Sequence, residues 1–311
     1  MKALLLDDTH PFLEQELQEG GLLLVREFQA PLEELVKSHS DAVVLIIRSR
    51  MKVDCNFLDQ FPLLKVIGRL GAGLENIDVR EATQRGISCL RVPEGNARAV
   101  AEHALGMLLS LLNHLPRVHR QIQEGQWLRE PNKGRELQSL VVGIIGYGIM
   151  GSEFAKLLSA MNVRVLAYDK YKSNYTPDGI EEVTLDVLQS QADVVSLHLP
   201  LNDETNGYVE AHFLSKFKKP VHFINTARGP IVDTAALVEA LDIGTVLSAA
   251  LDVLEYEKTS FTSLFEGQIP NELKSLFQRD NVLLSPHIAG WTKESFEKMG
   301  QGLASKVLKA L

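Results

Sequence analysis

The sequence predicts an α/β protein, and three observations lead to that class. Its 311 residues exceed the roughly 100–200 residues of one typical domain, which favours two domains. A hydrophobic fraction of 45% is enough to fill two buried cores. Short β-branched or leucine-rich runs alternate with amphipathic helical stretches, the pattern of parallel strands joined by helical crossovers.

The first series of predicted strands comprises KALLLDD, DAVVLII, LKVIGRL and ISCLRV. After Val92 the pattern changes, because Asn96 has the side chain of an N-cap and an apolar helical stretch of about 97–112 follows it. The second half of that helix is apolar nearly all round, so we expect it to be buried between domains or subunits. A polar, irregular segment is expected over 113–138.

A second α/β series then begins, with the runs SLVVGIIG, VRVLAYD, DVVSLHLP, VHFINTA, VLSAALDV and NVLLSP. These runs are mostly continuous in hydrophobicity, as strands covered on both faces require. From Thr292 onward the apolar residues return at helical spacing and predict a closing helix. They are Phe296, Met299, Leu303, Val307 and Leu311.

Composition excludes several classes of function. The net charge of −8 and the lack of a Lys/Arg-dense run argue against nucleic-acid or membrane-surface binding. The longest apolar stretch, 104–112, is too short to span a bilayer, and the start MKALLLDDTHPF is too short in apolar residues for a signal peptide. Cys55 and Cys89 form no metal-binding pattern. We therefore expect no metal, a reducing compartment such as the cytoplasm, and small molecules or other protein chains as partners.

Residues 141–151, VVGIIGYGIMG, place three glycines in G-x-G-x-x-G spacing between a predicted strand and a predicted helix. Glycine there permits a tight turn and close approach of backbone amides to a pyrophosphate. The next strand ends in Asp169, whose carboxylate can bind ribose hydroxyls and would repel a 2′-phosphate. This predicts NAD rather than NADP, although Lys170 and Lys172 are close by. The three glycines of this segment are Gly146, Gly148 and Gly151. The alternative interpretation is a glycine turn in another α/β protein, such as a methyltransferase.

Three downstream segments carry charged side chains at strand ends. INTARGPIVD contains Arg228, AALDVLEYEK contains Asp252 with two glutamates, and SPHIAGW contains His287. Taken alone, each segment has a simpler explanation. Arg228 would be a surface arginine, the acidic run a solvated loop, and His287 a packing residue. Beside a bound nicotinamide, the three side chains would form the minimum set of groups needed to oxidise a hydroxy acid. An arginine binds its carboxylate, a histidine with a reference pKa of ~6.5 accepts its proton, and a carboxylate orients the histidine.

Six segments resemble the D-isomer-specific 2-hydroxyacid dehydrogenases in order and approximate spacing: GRLGAGLENID (68–78), VVGIIGYGIMG, HLPLNDET (198–205), INTARGPIVD, LDVLEYE and SPHIAGW. The resemblance implies two Rossmann-like, doubly wound parallel-sheet domains with a catalytic cleft between them. Residues 1–96 with 288–311 would form the substrate domain, and residues 97–287 the NAD-binding domain. It also implies a homodimer, formed through the long helix and the 113–138 segment.

The same resemblance implies the site residues. Arg228 would bind the substrate carboxylate and keto oxygen, and His287 would be the acid/base, paired with Glu257 or, as the second candidate, Glu255. Asp252 would hold the nicotinamide carboxamide. The implied cofactor contacts are Gly146, Gly148, Ile149, Met150, Gly151, Asp169, His198, Leu199, Pro200, Thr205, Thr226, Ala227 and Asp252. The implied substrate contacts are Arg48, Arg69, Leu70, Gly71, Ala72, Gly73 and Asn96, with the 70–73 loop offering backbone amides to the carboxylate.

The segment IIRSRMKVD (46–54) is similar to the phosphoglycerate dehydrogenase pattern, in which two arginines hold the substrate phosphate. Arg48 and Arg69 match those arginines, which implies 3-phosphoglycerate as substrate and a place in serine biosynthesis. If Arg48 and Arg50 are instead exposed edge charges, the substrate is glyoxylate, hydroxypyruvate or another 2-keto acid. A different class also remains open, an NAD-sensing protein-binding module similar to transcriptional corepressors.

The sequence departs from the family pattern in two places. Lys258 stands where the family usually has proline, and the segment 258–278 is longer than expected. Phe261 and Phe265 in that segment are expected to cover the cleft or an interface. Because the chain ends at Leu311, we expect neither the regulatory domain of many phosphoglycerate dehydrogenases nor feedback by serine.

Overall fold

The computed structural model describes residues 1–177, 179–257 and 268–311, so the predicted role of Phe261 and Phe265 lies outside the described residues. The chain divides into two compact units. The smaller unit contains Met1–Ala97 and Trp291–Leu311, and the larger contains Arg98–Glu257 and 268–290. The first boundary falls one residue after the predicted one, and the second falls three residues after it.

The strands are β1 (Lys2–Leu5), β2 (Leu23–Arg26), β3 (Val44–Ile47), β4 (Val66–Arg69), β5 (Ser88–Arg91), β6 (Val141–Ile145), β7 (Arg164–Tyr168), β8 (Ile180–Glu182), β9 (Val194–Leu197), β10 (Val221–Asn225), β11 (Val246–Leu251) and β12 (Val282–Leu284). The helices are α1 (Pro11–Glu19), α2 (Leu32–His39), α3 (Cys55–Asp59), α4 (Val79–Gln84), α5 (Pro93–Leu112), α6 (Leu115–Gln123), α7 (Ile149–Ala160), α8 (Leu185–Gln191), α9 (Ala211–Ser215), α10 (Thr234–Asp242), α11 (Asn271–Phe277) and α12 (Lys293–Ala310).

Each unit is built on one parallel sheet. Within the described residues, the smaller unit has a five-stranded sheet of order β2-β1-β3-β4-β5. The larger unit has a seven-stranded sheet of order β12-β11-β10-β9-β6-β7-β8. The strand order reverses at β1/β3 in one sheet and at β6/β9 in the other. Ligands of doubly wound sheets bind at the carboxyl ends of the strands beside such a reversal. The predicted fold class is confirmed.

Apolar side chains cover both faces of each sheet, which explains the continuous hydrophobic runs. In the smaller unit Leu17 of α1 packs with Leu303 and Val307 of α12 on one face, and Phe57 and Phe61 pack on the other. Two corresponding clusters cover the faces of the larger sheet. Burial of each such side chain contributes about 1.5–3 kcal/mol.

The closing helix forms where the sequence predicts it. Thr292 is its N-cap, and a capping box with Ser295 satisfies two backbone amides, one in each direction. Met299, Leu303 and Val307 are buried as predicted, whereas Leu311 lies beyond the last turn and is exposed.

Two predictions about the middle of the chain are wrong in detail. α5 begins at Pro93 rather than Ala97, because proline lacks the amide that would be unsatisfied in a first helical turn and its φ suits that position. Asn96 therefore lies inside the helix and is not its N-cap. The 113–138 segment is not irregular throughout, since α6 occupies nine of its residues. The sequence did not predict that helix because many of its side chains are polar. All of its residues remain at least partly exposed.

The sequence did not reveal the edge strands β2 and β8. Leu23 of β2 is 64% exposed, and two of the three residues of β8 are exposed glutamates, so neither strand has a buried apolar run. No described helix is long and apolar enough to cross a membrane. The predicted cytoplasmic location stays a prediction.

Candidate active site

The glycine turn joins β6 to α7 and depends on two close backbone approaches. Gly146 has a φ of +92°, and a Cβ there would lie 2.5 Å from the carbonyl oxygen of His198. A Cβ on Gly151 would lie 2.1 Å from the carbonyl oxygen of Gly146. Beside Gly148, by contrast, no described atom lies within 4 Å of a built Cβ. The first and third glycines pack the turn, and the second leaves open space.

That space adjoins the N-terminus of α7. Gly148 is the N-cap, and no side chain caps the helix. The amides of Ile149, Met150 and Gly151 belong to the first turn, whose N–H groups have no partner within the helix. The amides and the helix dipole therefore suit a pyrophosphate.

Asp169 follows β7 and fixes the glycine turn to that strand. Its Oδ2 accepts a hydrogen bond from the amide of Tyr147 at 2.9 Å, and its Oδ1 accepts one from the amide of Tyr171 at 3.0 Å. An ionised carboxylate has about four lone-pair sites, so each oxygen keeps capacity for a ribose hydroxyl. The carboxylate is only partly buried, which leaves it accessible to a ligand.

The two lysines beside Asp169 already have partners. Lys170 forms an ion pair with Glu204. Lys172 donates from Nζ to the carbonyl oxygen of Tyr147 at 2.6 Å. Glu204 compensates the charge of Lys170, Lys172 is held against the glycine turn, and the Asp169 carboxylate would repel a 2′-phosphate. The local charges therefore favour NAD.

Two threonines among the implied cofactor contacts differ in how their hydroxyl groups are bonded. Thr226, directly after β10, has a buried hydroxyl for which the described residues supply no hydrogen-bond partner. A buried unsatisfied hydroxyl is costly, so a bound ligand would satisfy it at this edge of the sheet. Thr205 is different, because its Oγ1 donates to the carbonyl oxygen of Pro200 at 2.6 Å and accepts from the amide of Asn202 at 2.9 Å. Thr205 therefore holds the 200–205 turn in shape.

His198 lies beneath the glycine turn. Its ring packs against Phe154 and its Nε2 lies 2.9 Å from Oγ of Ser196. Burial lowers the pKa of His198 to about 4, so its imidazole is neutral near pH 7. The turn is thus supported without a buried positive charge.

Arg228 is presented by a turn that Asn225 pins. The side chain of Asn225 accepts from the amide of Ala227 and donates to the carbonyl oxygen of Arg228, both at 3.0 Å. At Gly229 a Cβ would lie 1.9 Å from the carbonyl oxygen of Leu254, so only glycine fits there. The Arg228 side chain is partly exposed at the carboxyl end of β10. Sequence reasoning missed Asn225 and Gly229, although both lie inside INTARGPIVD.

A buried carboxylate organises the loop that carries His287. Asp252 is 1% exposed, and its Oδ1 accepts from the amide of Ile288 at 2.9 Å and from Oγ of Ser285 at 2.6 Å. Its Oδ2 accepts from the amide of Ala289 at 2.8 Å. The amide of His287 donates to the carbonyl oxygen of Asp252 at 2.7 Å. These bonds hold His287 at a φ of +55°, a conformation that costs a non-glycine residue about 1–3 kcal/mol.

His103 of α5 extends this network. Its Nε2 lies 2.9 Å from Oγ of Ser285 and 3.5 Å from Oδ1 of Asp252. Sequence reasoning missed both residues: His103 lies in an apolar helix with no motif around it, and Ser285 is the uncharged first residue of SPHIAGW. Asp252, predicted as a nicotinamide contact, also braces the loop from within the protein.

His287 pairs with Glu257. Its Nδ1 lies 2.9 Å from Oε1 of Glu257, and both side chains are partly buried. A carboxylate can only accept, so Nδ1 carries the proton and Nε2 is the nitrogen for acid/base exchange. Glu255 has another contact, accepting the amide of Thr234 at the start of α10 at 2.9 Å. Of the two candidate acids, the structure therefore pairs Glu257 with His287.

In the smaller unit, Arg48 directly follows β3. Its amide donates to Oδ2 of Asp7 at 2.6 Å, and its guanidinium carbon lies 4.0 Å from the ring centroid of Trp291. Stacking of this kind fixes the guanidinium plane and leaves its N–H edges for an anion. Burial lowers the pKa of Arg48, while the charges of Asp7 and Asp8 act in the opposite direction.

One alternative made Arg50 an exposed charge at the sheet edge, but its guanidinium is bonded within the protein. Its three donor nitrogens bond the carbonyl oxygens of Leu6, Ala30 and Glu27, each at 2.9 Å. Arg50 therefore ties loops of the smaller unit together, and Arg48 alone of the two is left for a ligand.

The predicted carboxylate-binding loop needs a correction. The amide of Leu70 donates to Ile47 and that of Gly71 to Arg69, so these two amides are already bonded within the protein. The described residues supply no acceptor for the amides of Ala72 and Gly73, which remain candidates.

Arg69 itself is buried beneath this loop. Its Nε donates to the carbonyl oxygen of Arg48 at 3.0 Å and its Nη1 to that of Gly73 at 2.8 Å. This geometry makes Arg69 a brace of the loop, and its predicted phosphate contact stays a prediction. Asn96 has a buried Oδ1 that no described residue bonds, as a substrate contact would require. No metal-binding group of three acidic, histidine or cysteine residues occurs in the described part of the chain.

Comparison with known proteins decides the family. The model of the D-isomer specific 2-hydroxyacid dehydrogenase family, NAD binding domain, matches residues 105–289. The chain belongs to this family. The predicted resemblance is confirmed, and NAD is the cofactor to which the glycine turn, Asp169 and the unbonded Thr226 hydroxyl are suited.

Relatives of this dehydrogenase-family chain differ in name. It is 35% identical to the D-3-phosphoglycerate dehydrogenase of Archaeoglobus fulgidus over 310 residues, 99% of this chain and 57% of that relative. It is 37% identical to the hydroxypyruvate reductase of Thermotoga maritima, over 90% of this chain and 88% of that relative. The chain thus spans about half the length of its phosphoglycerate dehydrogenase relatives.

Solved structures of the family share the fold. The D-lactate dehydrogenase of Aquifex aeolicus, complexed with NAD and lactic acid, has a TM-score of 0.84 at 29% identity and covers 99% of this chain and 94% of its own. A glyoxylate reductase from Paecilomyes thermophila has a TM-score of 0.85 at 27% identity, with the same coverages.

Gly151→Ala tests the cofactor turn of this family member. Because the added Cβ would meet the carbonyl oxygen of Gly146, we expect the Kd for NAD to rise at least about tenfold, measured by titration calorimetry. The control is Gly106→Ala, in exposed helix with no described atom near the new Cβ. Equal NAD affinity in the two folded variants would contradict the assignment.

Proposed function

We propose that this chain is an NAD-dependent dehydrogenase that oxidises a D-2-hydroxy acid at C2 and catalyses the reverse reduction. The observation that carries the proposal is the 2.9 Å contact between His287 and Glu257. The pair follows β11 and β12, at the carboxyl edge of the sheet that also carries the glycine turn and Arg228. Open α/β sheets bind their ligands at that edge.

In oxidation, Nε2 of neutral His287 takes the substrate's hydroxyl proton as the hydride leaves C2. Glu257 stabilises the resulting imidazolium and keeps the ring oriented. Arg228 binds the carboxylate through its guanidinium. NAD, when bound, supplies the hydride acceptor. In reduction, protonated His287 returns the proton to the oxygen of the 2-keto acid.

His287→Asn tests the acid/base role. Asparagine tolerates the left-handed conformation of residue 287 but cannot exchange a proton near neutral pH. We expect kcat to fall by about 10²–10⁴ while the Kd for NAD is unchanged, measured by NADH absorbance and calorimetry. The matched control is His119→Asn on the exposed α6. Unchanged turnover in the His287 variant would refute the mechanism.

Within this function we propose 3-phosphoglycerate as the substrate. Arg48 supports it, since Trp291 holds the guanidinium while its N–H edges remain for a dianion. The named phosphoglycerate dehydrogenases among the relatives are consistent with it. Because Arg69 spends two of its donor nitrogens on carbonyl oxygens, we assign Arg48 as the main phosphate contact.

Hydroxypyruvate is the second candidate substrate. One observation favours it: only one arginine of the predicted pair is presented to a ligand, whereas a phosphate is better held by two. The similarity to the Thermotoga maritima hydroxypyruvate reductase, which covers 88% of that protein, is consistent with this alternative.

A substrate panel with Arg48→Ala separates these candidates. With NAD, we expect the wild type to oxidise 3-phosphoglycerate with higher kcat/KM than D-glycerate or D-lactate. Loss of the charge-assisted bonds in Arg48→Ala should lower kcat/KM for 3-phosphoglycerate by about 10–100-fold and leave D-glycerate nearly unaffected. Arg80→Ala, an exposed arginine of the same unit, is the control.

Other outcomes of the panel are equally informative. Equal efficiency on 3-phosphoglycerate before and after Arg48→Ala would contradict the phosphate contact. A wild type that prefers D-glycerate, the product of hydroxypyruvate reduction, would indicate the second candidate. If no acid is turned over although NAD binds, the NAD-sensing protein-binding module would be favoured over an enzyme.

We also propose a homodimer formed through α5, α6 and the residues up to 138. α6 and the segment after it expose four large apolar side chains, and clustered exposed apolar surface marks interaction sites. These are Leu115, Ile122, Trp127 and Leu128, with Trp127 80% exposed.

Light scattering tests the dimer. We expect a molar mass of twice 34.5 kDa for the wild type and a shift toward the monomer in Ile122→Ser/Trp127→Ser. Ile243→Ser changes an apolar residue away from this segment whose exposure lies between those of Ile122 and Trp127, and it should leave the dimer intact. A monomeric wild type at micromolar concentration would refute the proposal.

A further inference from the structure

We propose a second ligand site, for a small phosphate-bearing anion, at the amino ends of the strands of the larger sheet. A cavity of about 370 Å³ lies there. Its wall includes His222 near the start of β10, Ser248 near the start of β11 and Asn281 just before β12.

This cavity is distinct from the candidate active site. Thr226, Asp252 and Ser285 follow the carboxyl ends of the same three strands. At about 3.3 Å per residue, the chain from His222 to Thr226 alone spans about 13 Å. A ligand in the cavity would therefore be separated from the nicotinamide chemistry by the length of the sheet.

The cavity wall carries an excess of positive charge. Arg117, Lys133 and Arg135 line it, and Asp280 is the acid among its lining residues. Asp280 is itself paired with Arg120. The described residues form no ion pair with Lys133 or Arg135. The cavity wall thus carries three cations and one acid whose charge is already compensated. Asp193, a nearby acid that interacts with Arg135 and His222, is itself paired with Lys219.

Arg117 is oriented in advance. Its Nε donates to Oδ1 of Asn132 at 2.9 Å and its Nη2 to the carbonyl oxygen of Pro131 at 2.8 Å. Because neutral groups hold it, the guanidinium keeps its full charge toward an anion. A fixed guanidinium loses less side-chain entropy on binding than a freely rotating one.

His222 provides an independent indication of a ligand. It is 8% exposed, its Nδ1 lies 2.7 Å from Oγ of Ser248, and its buried Nε2 has no partner among the described residues. Burial, followed by the charge of Arg135, lowers the pKa of His222 to about 4, so the ring is neutral near pH 7. If Nδ1 accepts from the Ser248 hydroxyl, Nε2 carries a hydrogen, and this buried donor belongs to a residue of the cavity wall.

The shape and lining restrict the ligand to a small molecule. Leu111, Leu112, Pro116 and Leu247 form apolar wall, which suits a short carbon body next to a charged group. A volume near the lower end of small-molecule pockets excludes a dinucleotide. Arginine and lysine together favour a phosphate, either free or on a small organic molecule.

The test is NMR on protein whose histidines are isotope-labelled, with NAD at a saturating concentration. NAD occupies the pyrophosphate site, and the signals of His222 report on the cavity. The signals of His222 are assigned by their loss in His222→Gln. We expect inorganic phosphate to shift the signals of His222 and of His114, which also lines the cavity. Glycerol 3-phosphate, compared at equal ionic strength, distinguishes the sources: tighter binding assigns a phosphorylated organic molecule, and equal binding assigns free phosphate.

Charge reversal provides the matched comparison. Arg135→Glu should weaken phosphate binding by about 10–100-fold, whereas Arg129→Glu, an exposed arginine of the same segment outside the cavity, should leave it unchanged. NAD affinity and the molar mass by light scattering should be the same in both variants, which both lie in the proposed dimer segment, so this test is independent of the proposed dehydrogenase activity and of the proposed dimer. Absence of a His222 response, or equal phosphate affinity in the two variants, would overturn the site.

Discussion

The buried carboxylate of Asp252 is the interaction on which the candidate active site depends. It accepts hydrogen bonds from Ser285 and from the amides of Ile288 and Ala289, and its own backbone bonds Asn225 on one side and His287 on the other. One acid thus connects the ends of β10, β11 and β12. Without it, two loop amides would lose their acceptor, at about 1–3 kcal/mol for each group left buried and unsatisfied.

This arrangement links Arg228 and His287, the residues of the larger unit that we propose to bind the substrate carboxylate and to exchange its proton. Asn225 donates one hydrogen bond and accepts another, and so pins the turn that presents Arg228. Asp252 holds the loop that presents His287 at a positive φ. Its carboxylate has about four lone-pair sites, of which three accept protein donors, so one remains on Oδ2. Bracing the loop and binding a carboxamide are therefore compatible roles.

Much of this could be predicted from sequence because it is local. The glycine turn, Asp169 at the end of the next strand and the continuous apolar runs each depend on a few neighbouring residues. The choice between Glu255 and Glu257 could not be made that way. The two acids are two residues apart, and the choice depends on where α10 begins in space.

Tertiary contacts also explain the corrections at the smaller unit. Arg69 matches a phosphate-binding arginine in sequence, but two of its donor nitrogens bond the carbonyl oxygens of Arg48 and Gly73 once the 69–73 loop has formed, and its phosphate contact stays a prediction. The cavity beside His222 had no sequence signal at all. Its lining residues lie between positions 110 and 281, and only the folded chain brings the end of α5 and the segment after it next to the starts of β10, β11 and β12.

Hydrogen exchange at the amides of Ile288 and Ala289 tests the central claim, that Asp252 holds the His287 loop, most directly. Both amides should exchange slowly in the wild type and in Glu257→Gln, which leaves Asp252 intact. In Asp252→Ala they should exchange at least about tenfold faster, while amides of β6 keep their protection. Fast exchange in the wild type, or equally slow exchange in Asp252→Ala, would contradict the account.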